Sequence, residues 1–178
     1  MLTTLFFLSS GLFLGWSLGA NDAANVFGTA VGSKMIRFKT AALICSLFVI
    51  IGAVVSGAGA SHTLGALGAV NALPGAFTVA LAAAVTVFLM TKAGLPVSTS
   101  QAIVGAIIGW NYFAGYQTDW SIAGKIGATW IICPILAMLF SIVGYFIARW
   151  ILLNSNIHFF RISSHMRAGL LIIGAFGS

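Results

Sequence analysis

The sequence has 178 residues, of which 60% are hydrophobic and only 6% charged. A soluble domain covers itself with about 25% charged side chains, so this composition excludes a water-soluble globular protein and points to an all-α integral membrane protein. The formal net charge of +6 comes from basic residues standing singly or in short clusters, with no basic face or stacking motif, which argues against a nucleic-acid partner.

The first apolar stretch runs from Leu2 to about Val31 and is interrupted at Gly19-Ala20-Asn21-Asp22. It has no basic leader region, so it reads as a retained span rather than a cleaved signal. The second stretch, about Ala41 to Gly57, is near the lower limit of a spanning helix. Residues 58 to 75 are rich in Gly, Ala and Ser, and read as an external loop or short re-entrant hairpin containing a solvated His62. The third stretch is Ala76 to Met90. The fourth, "GLPVSTSQAIVGAIIGW", opens with Gly94 and Pro96 and is short for a full crossing. The fifth, Ser121 to Leu153, would span roughly 45 to 50 Å as one helix. It must therefore tilt, kink near Pro134, or begin outside the bilayer. Cys45 and Cys133 both lie in apolar runs without metal-ligand spacing and read as inert buried thiols.

Five crossings with the N-terminus outside place Lys34, Arg37, Lys39, Lys92, Arg149, Arg161 and Arg167 in the cytoplasm, leaving only Lys125 outside, beside Asp119. Trp110, Tyr112, Phe113, Tyr116 and Trp120 then form an interfacial aromatic belt. His158 and His165 lie near Arg161 and Arg167, in a segment able to touch anionic headgroups. Five is an odd number, and "GLLIIGAFGS" near the C-terminus is similar in kind to "GLFLGWSLGA" near the N-terminus. Together these suggest residues 1–167 as the first unit of an inverted-topology repeat, built partly of broken or short half-helices, with 168–178 opening a second.

Two polar clusters carry the chemistry. In "GWSLGANDAANVFGTAVGS", Asp22 is one of two acidic residues in the chain, and a carboxylate in a membrane segment costs roughly 2.5–3.5 kcal/mol. Asn21, Asp22, Asn25 and Thr29 share one helical face, ringed by Gly and Ala. One reading is a tight helix contact held by Asn hydrogen bonds, with Asp22 protonated or paired. The other is coordination of a hard cation by Asn21, Asp22 and Asn25 with unwound backbone carbonyls. In the second cluster, Ser98, Thr99, Ser100 and Gln101 fall in the first turn of a short helix. Unpaired N–H groups and the positive dipole end make that position an anion site. Ordinary capping by one hydroxyl is the plainer alternative, but it needs only one of the three. A cation site beside an anion site suits coupled uptake, because each negative charge entering a negative-inside cell costs about 2.3 kcal/mol per 100 mV.

At these residues the sequence resembles a known family. "GANDAANVFGTAVGS" (Gly19 to Ser33) looks like the signature of the inorganic phosphate transporter (PiT) family, and "GLPVSTSQAIVGAIIG" (Gly94 to Gly109) is similar to that family's second conserved stretch. Many members have Thr-His where this chain has Ser100-Gln101. The resemblance implies two inverted copies of this unit, a homodimer in the cell membrane, and import of phosphate with Na⁺ or H⁺ as the coupling cation and no further cofactor. It places Asn21, Asp22 and Asn25 in the ion and substrate site and Ser98, Thr99 and Ser100 on the phosphate. Sulfate transport is the alternative within the class, and a non-transporting membrane subunit or scaffold the alternative outside it. With no nucleophile–base pair or metal-ligand set, the sequence does not read as an enzyme.

Overall fold

The computed structural model describes residues 2–68, 70, 72–154 and 159–177. These form helices α1 (Leu2–Gly32), α2 (Phe38–Leu67), α3 (Leu73–Lys92), α4 (Thr99–Ala114), α5 (Trp120–Asn154) and α6 (Phe159–Gly177). Among the described residues the fold is all-α. Four stretches are long and apolar enough to cross a membrane: Thr3–Gly32, Phe38–Gly59, Leu73–Lys92 and Trp120–Ile151. At about 1.5 Å per residue the 16 residues of α4 reach only about 24 Å, short of a bilayer's hydrocarbon core. His158 lies outside the described residues, as do the side chains of Arg161 and His165.

Two expectations from the sequence require correction. α1 runs unbroken through Gly19-Ala20-Asn21-Asp22. Asn21 bonds both to Asp22 and to the Val97 carbonyl beyond the helix, and Ala20, Ala23 and Ala24 are strong helix formers, so the backbone has no cause to open. α2 likewise continues to Leu67, which turns residues 58–67 from a loop into helix. Ser61 and Thr63 donate their hydroxyls to the carbonyls of Gly57 and Gly59 at 3.0 and 3.1 Å. Polar residues that look like loop formers are thereby satisfied inside the helix. His62 is exposed on this helix. Of the two cysteines Cys45 is buried, but Cys133 is exposed on α5.

Aromatic contacts fix the direction of packing. Phe6 and Phe7 meet Phe77, while Phe13 and Trp16 meet Phe88, with ring centroids 4.9 to 5.9 Å apart where α1 meets α3. Residue numbers rise together in the two helices, so α1 and α3 run parallel. α4 folds back along α3, because Trp110 lies against Gly75 near the start of α3. The α3–α4 turn therefore comes level with Asn21, well before α1 ends at Gly32. Gly94 makes that turn with φ +72°, a left-handed conformation that any other L-residue would adopt at a cost.

Two small cores flank the helices. Near the α1–α2 turn, Phe27, Ala30, Ile36, Ala41 and Cys45 pack together, with Leu170 and Leu171 of α6 against them. Gly174 sits directly on the Phe27 ring. Toward the opposite end, Leu67, Val79, Val104 and Ile107 pack with Ile122, Ile126 and Trp130 of α5. Beyond Trp130, residues 131–150 of α5 are exposed throughout, an apolar surface suited to lipid or to further protein.

Candidate functional site

The second half of α1, the α3–α4 turn and the first turn of α4 enclose one open pocket of about 390 Å³. Asp22, Asn25, Pro96, Val97, Ser98, Thr99 and Ser100 line it. A carboxylate and a helix N-terminus thus face the same space. Residues 95–98 are not helical, since Gly94 breaks α3 and the pyrrolidine of Pro96 disfavours a helical Leu95 before it. Ser98 then caps α4, with φ −84° and ψ 115°, and its Oγ accepts from the Gln101 N–H at 3.4 Å. That is a long bond, and only one of the three hydroxyls is committed to it. The backbone N–H groups of Thr99 and Ser100 have no intrahelical acceptor and are free for an anion.

Thr99 is buried, at 4% exposure, yet its Oγ1 has no hydrogen-bond partner. A buried hydroxyl left unpaired costs about 1–3 kcal/mol, and Thr99 is one of the residues that line the pocket. Ser100 lines the pocket and is exposed, whereas Gln101 is exposed and does not line it. On α1, Asp22 is half-buried and Asn25 is exposed, and both face the pocket. Thr29 shares their helical face but is not part of the lining. Among the described residues Asp22 has no basic partner, and its one hydrogen bond comes from the Asn21 amide at 2.8 Å.

Asn21 itself does not line the pocket. It is buried at 5% exposure, and its Nδ2 donates both to Asp22 Oδ1 and, at 2.6 Å, to the carbonyl oxygen of Val97. α1 thus has no unwound carbonyl to offer a cation, and the non-helical Val97 carbonyl in the α3–α4 turn is taken by Asn21. Sequence reasoning takes Pro96 only as a helix-start signal and places neither Pro96 nor Val97 in the site. The signal available was the Gly94–Pro96 pair, which already implied extended backbone up to the cap.

A second buried polar cluster also went unnoticed in the sequence. Asn111 is fully buried near the end of α4; its amide donates to Thr118 Oγ1 at 3.0 Å and fills the space that a side chain at Gly68 would take. Close by, the Asp119 N–H donates to the Leu67 carbonyl at 3.2 Å, tying the α4–α5 turn to the end of α2. Trp110 also departs from the expected aromatic belt: it packs inward on Gly75, while Tyr112, Phe113, Tyr116 and Trp120 are exposed.

Among the described residues no group of three or more His, Cys, Asp or Glu side chains could hold a metal ion. The pocket instead offers one carboxylate, one amide oxygen and several hydroxyls, a donor set suited to a hard monovalent cation beside an oxyanion.

Residues 18–174 match the phosphate transporter family. A protein of Pyrococcus abyssi named "Putative phosphate permease" is 34% identical over 141 residues, covering 74% of this chain and 35% of that protein. A Methanocaldococcus jannaschii protein of the same designation is 34% identical over 147 residues, covering 82% of this chain and 46% of its own length. The "Sodium-dependent phosphate transporter" of Plasmodium falciparum is 32% identical over 170 residues, covering 84% of this chain and 24% of that protein. The chain thus spans less than half the length of each of these relatives, and no solved structure matches it. By the extent of the match and the signature residues gathered in the pocket, this chain belongs to the phosphate transporter family.

Proposed function

We infer that the intact protein carries inorganic phosphate into the cell together with Na⁺, and that this chain supplies one half of the binding site. The observation that carries this reading is the meeting of Asp22 and Asn25 with the α4 N-terminus in a single pocket. Asp22 and Asn25 hold the cation through oxygen. The free N–H groups and hydroxyls of Thr99 and Ser100, with Ser98 beside them, hold the phosphate. Opposite charges bound side by side stabilise each other, and at −100 mV each Na⁺ offsets about 2.3 kcal/mol of the roughly 4.6 kcal/mol opposing entry of a dianion.

The names of the relatives favour phosphate over sulfate, and that of the Plasmodium relative favours Na⁺ over H⁺. Their greater length supports a second, inverted unit opening at about residue 168. The remaining parts of the reading are a multi-pass protein of the cell membrane with its N-terminus outside, working as a homodimer. The basic residues Lys34, Arg37 and Lys39 at the α1–α2 turn support that orientation.

The test is uptake of radiolabelled phosphate and sulfate by the intact protein in proteoliposomes, with Na⁺ and H⁺ gradients imposed separately. Phosphate uptake driven by Na⁺ and lost in Asp22→Asn is expected. Normal uptake in Asp22→Asn would refute the assignment, and correct insertion without uptake of either anion would favour the scaffold reading.

A further inference from the structure

Asn21 stands in the signature beside Asp22, and its residue type suits a cation ligand. Its surroundings assign it a different task. A carboxamide nitrogen carries two hydrogens, and here both are committed, one to Asp22 Oδ1 at 2.8 Å and one to the Val97 carbonyl at 2.6 Å. Both partners are acceptors, so the nitrogen rather than the oxygen must point at them. The side chain is 5% exposed and contributes nothing to the pocket lining.

The bond to Val97 joins two elements that the helical ladders leave unconnected. Val97 lies in the non-helical stretch between Gly94 and Ser98, and its carbonyl immediately precedes the residue that caps α4. The bond to Asp22 commits one carboxylate oxygen and leaves Oδ2 for the pocket. A single amide therefore sets both the orientation of the negative group and the separation between α1 and the N-terminus of α4.

We propose that Asn21 is a positioning residue, a brace between the Asp22 carboxylate and the Val97 carbonyl, and that it does not ligate the transported ion. The proposal rests on the transport reading given above. It predicts that the amide hydrogens of Asn21 matter and that its oxygen does not. Asn21→Asp separates the two roles, because it keeps an oxygen at the same place, improves it as a cation ligand, and removes both donors.

In proteoliposomes of the intact protein, Asn21→Asp and Asn21→Ala should each lower maximal Na⁺-driven phosphate uptake by about 10-fold or more, and the aspartate should not rescue. An Asn21→Asp variant that keeps uptake near the unmodified level, or lowers the half-saturating Na⁺ concentration, would overturn the proposal and make Asn21 a ligand. A second, milder perturbation covers the case in which these variants misfold. Replacing the Val97–Ser98 peptide by an ester weakens the Val97 carbonyl as an acceptor, and should reduce uptake several-fold. Combined with Asn21→Ala it should add no further loss in either uptake or melting temperature, since the bond is already gone. Full additivity, or an ester without effect, would refute the brace. If the unmodified protein moves no phosphate under any gradient, the transport reading fails, and the melting-temperature cycle still decides the brace.

Discussion

The sharpest prediction concerns Thr99, whose hydroxyl is buried against the pocket and unpaired. Thr99→Val keeps the branched shape and nearly the same volume while removing the one polar atom. In the empty protein that atom costs about 1–3 kcal/mol, so the variant should gain about 1 kcal/mol of stability and melt at a higher temperature in detergent. In the proposed site the same hydroxyl would donate to a charged phosphate oxygen, a bond worth about 1.5–3 kcal/mol. Its loss should weaken phosphate binding about 10- to 150-fold at about 1.4 kcal/mol per factor of ten. The two effects have opposite signs, and one assay reads both. Melting curves with and without phosphate in Na⁺ buffer should show a raised baseline for Thr99→Val and a reduced shift on adding phosphate. A variant that melts lower without phosphate, yet shows the full phosphate shift, would refute the reasoning. The hydroxyl would then have a structural partner and no part in the site.

Two further substitutions test the packing. A Cβ at Gly68 would stand 2.6 Å from Asn111 Oδ1 and 2.8 Å from Cγ. Gly68→Ala should therefore cost about 2–5 kcal/mol in denaturant titrations, and much of that loss should vanish in an Asn111→Ala background, where the obstruction is gone. Gly174→Ala would drive a methyl into the Phe27 ring and should destabilise by about 1–3 kcal/mol in thermal unfolding. Gly169→Ala on the same helix meets nothing within 4 Å and should be neutral or slightly stabilising.

How much of this was legible in the sequence depended on whether a signal was local. The start of α4 was readable because Gly94, Pro96 and the hydroxyl run each constrain the backbone at their own position. The expected break in α1 and the expected loop at 58–67 were misread for one shared reason. Polar and small residues there carry, by themselves, a signal for a weakened helix. In fact Asn21 satisfies Asp22 and a carbonyl 76 positions away, and Ser61 and Thr63 bond within their own helix. A sequence shows the polar atom but not its partner. Asn111 makes the same point: it lies between Trp110 and Tyr112 of the expected belt without being singled out, and only the approach of Gly68 and Thr118 reveals a buried polar contact.

The tight reversal between α3 and α4 brings a helix C-terminus and a helix N-terminus side by side, and opposed poles so close would ordinarily leave little net field for an ion. Here the two are not balanced. The N–H groups of Ala93, Gly94 and Leu95 cover the terminal carbonyls of Leu89, Thr91 and Met90, and Lys92 lends its ammonium to the same end. The amides opening α4 have no comparable covering. The hairpin is thus polarised toward attracting anions, and it gains that bias by silencing one pole rather than by placing a basic side chain in the pocket.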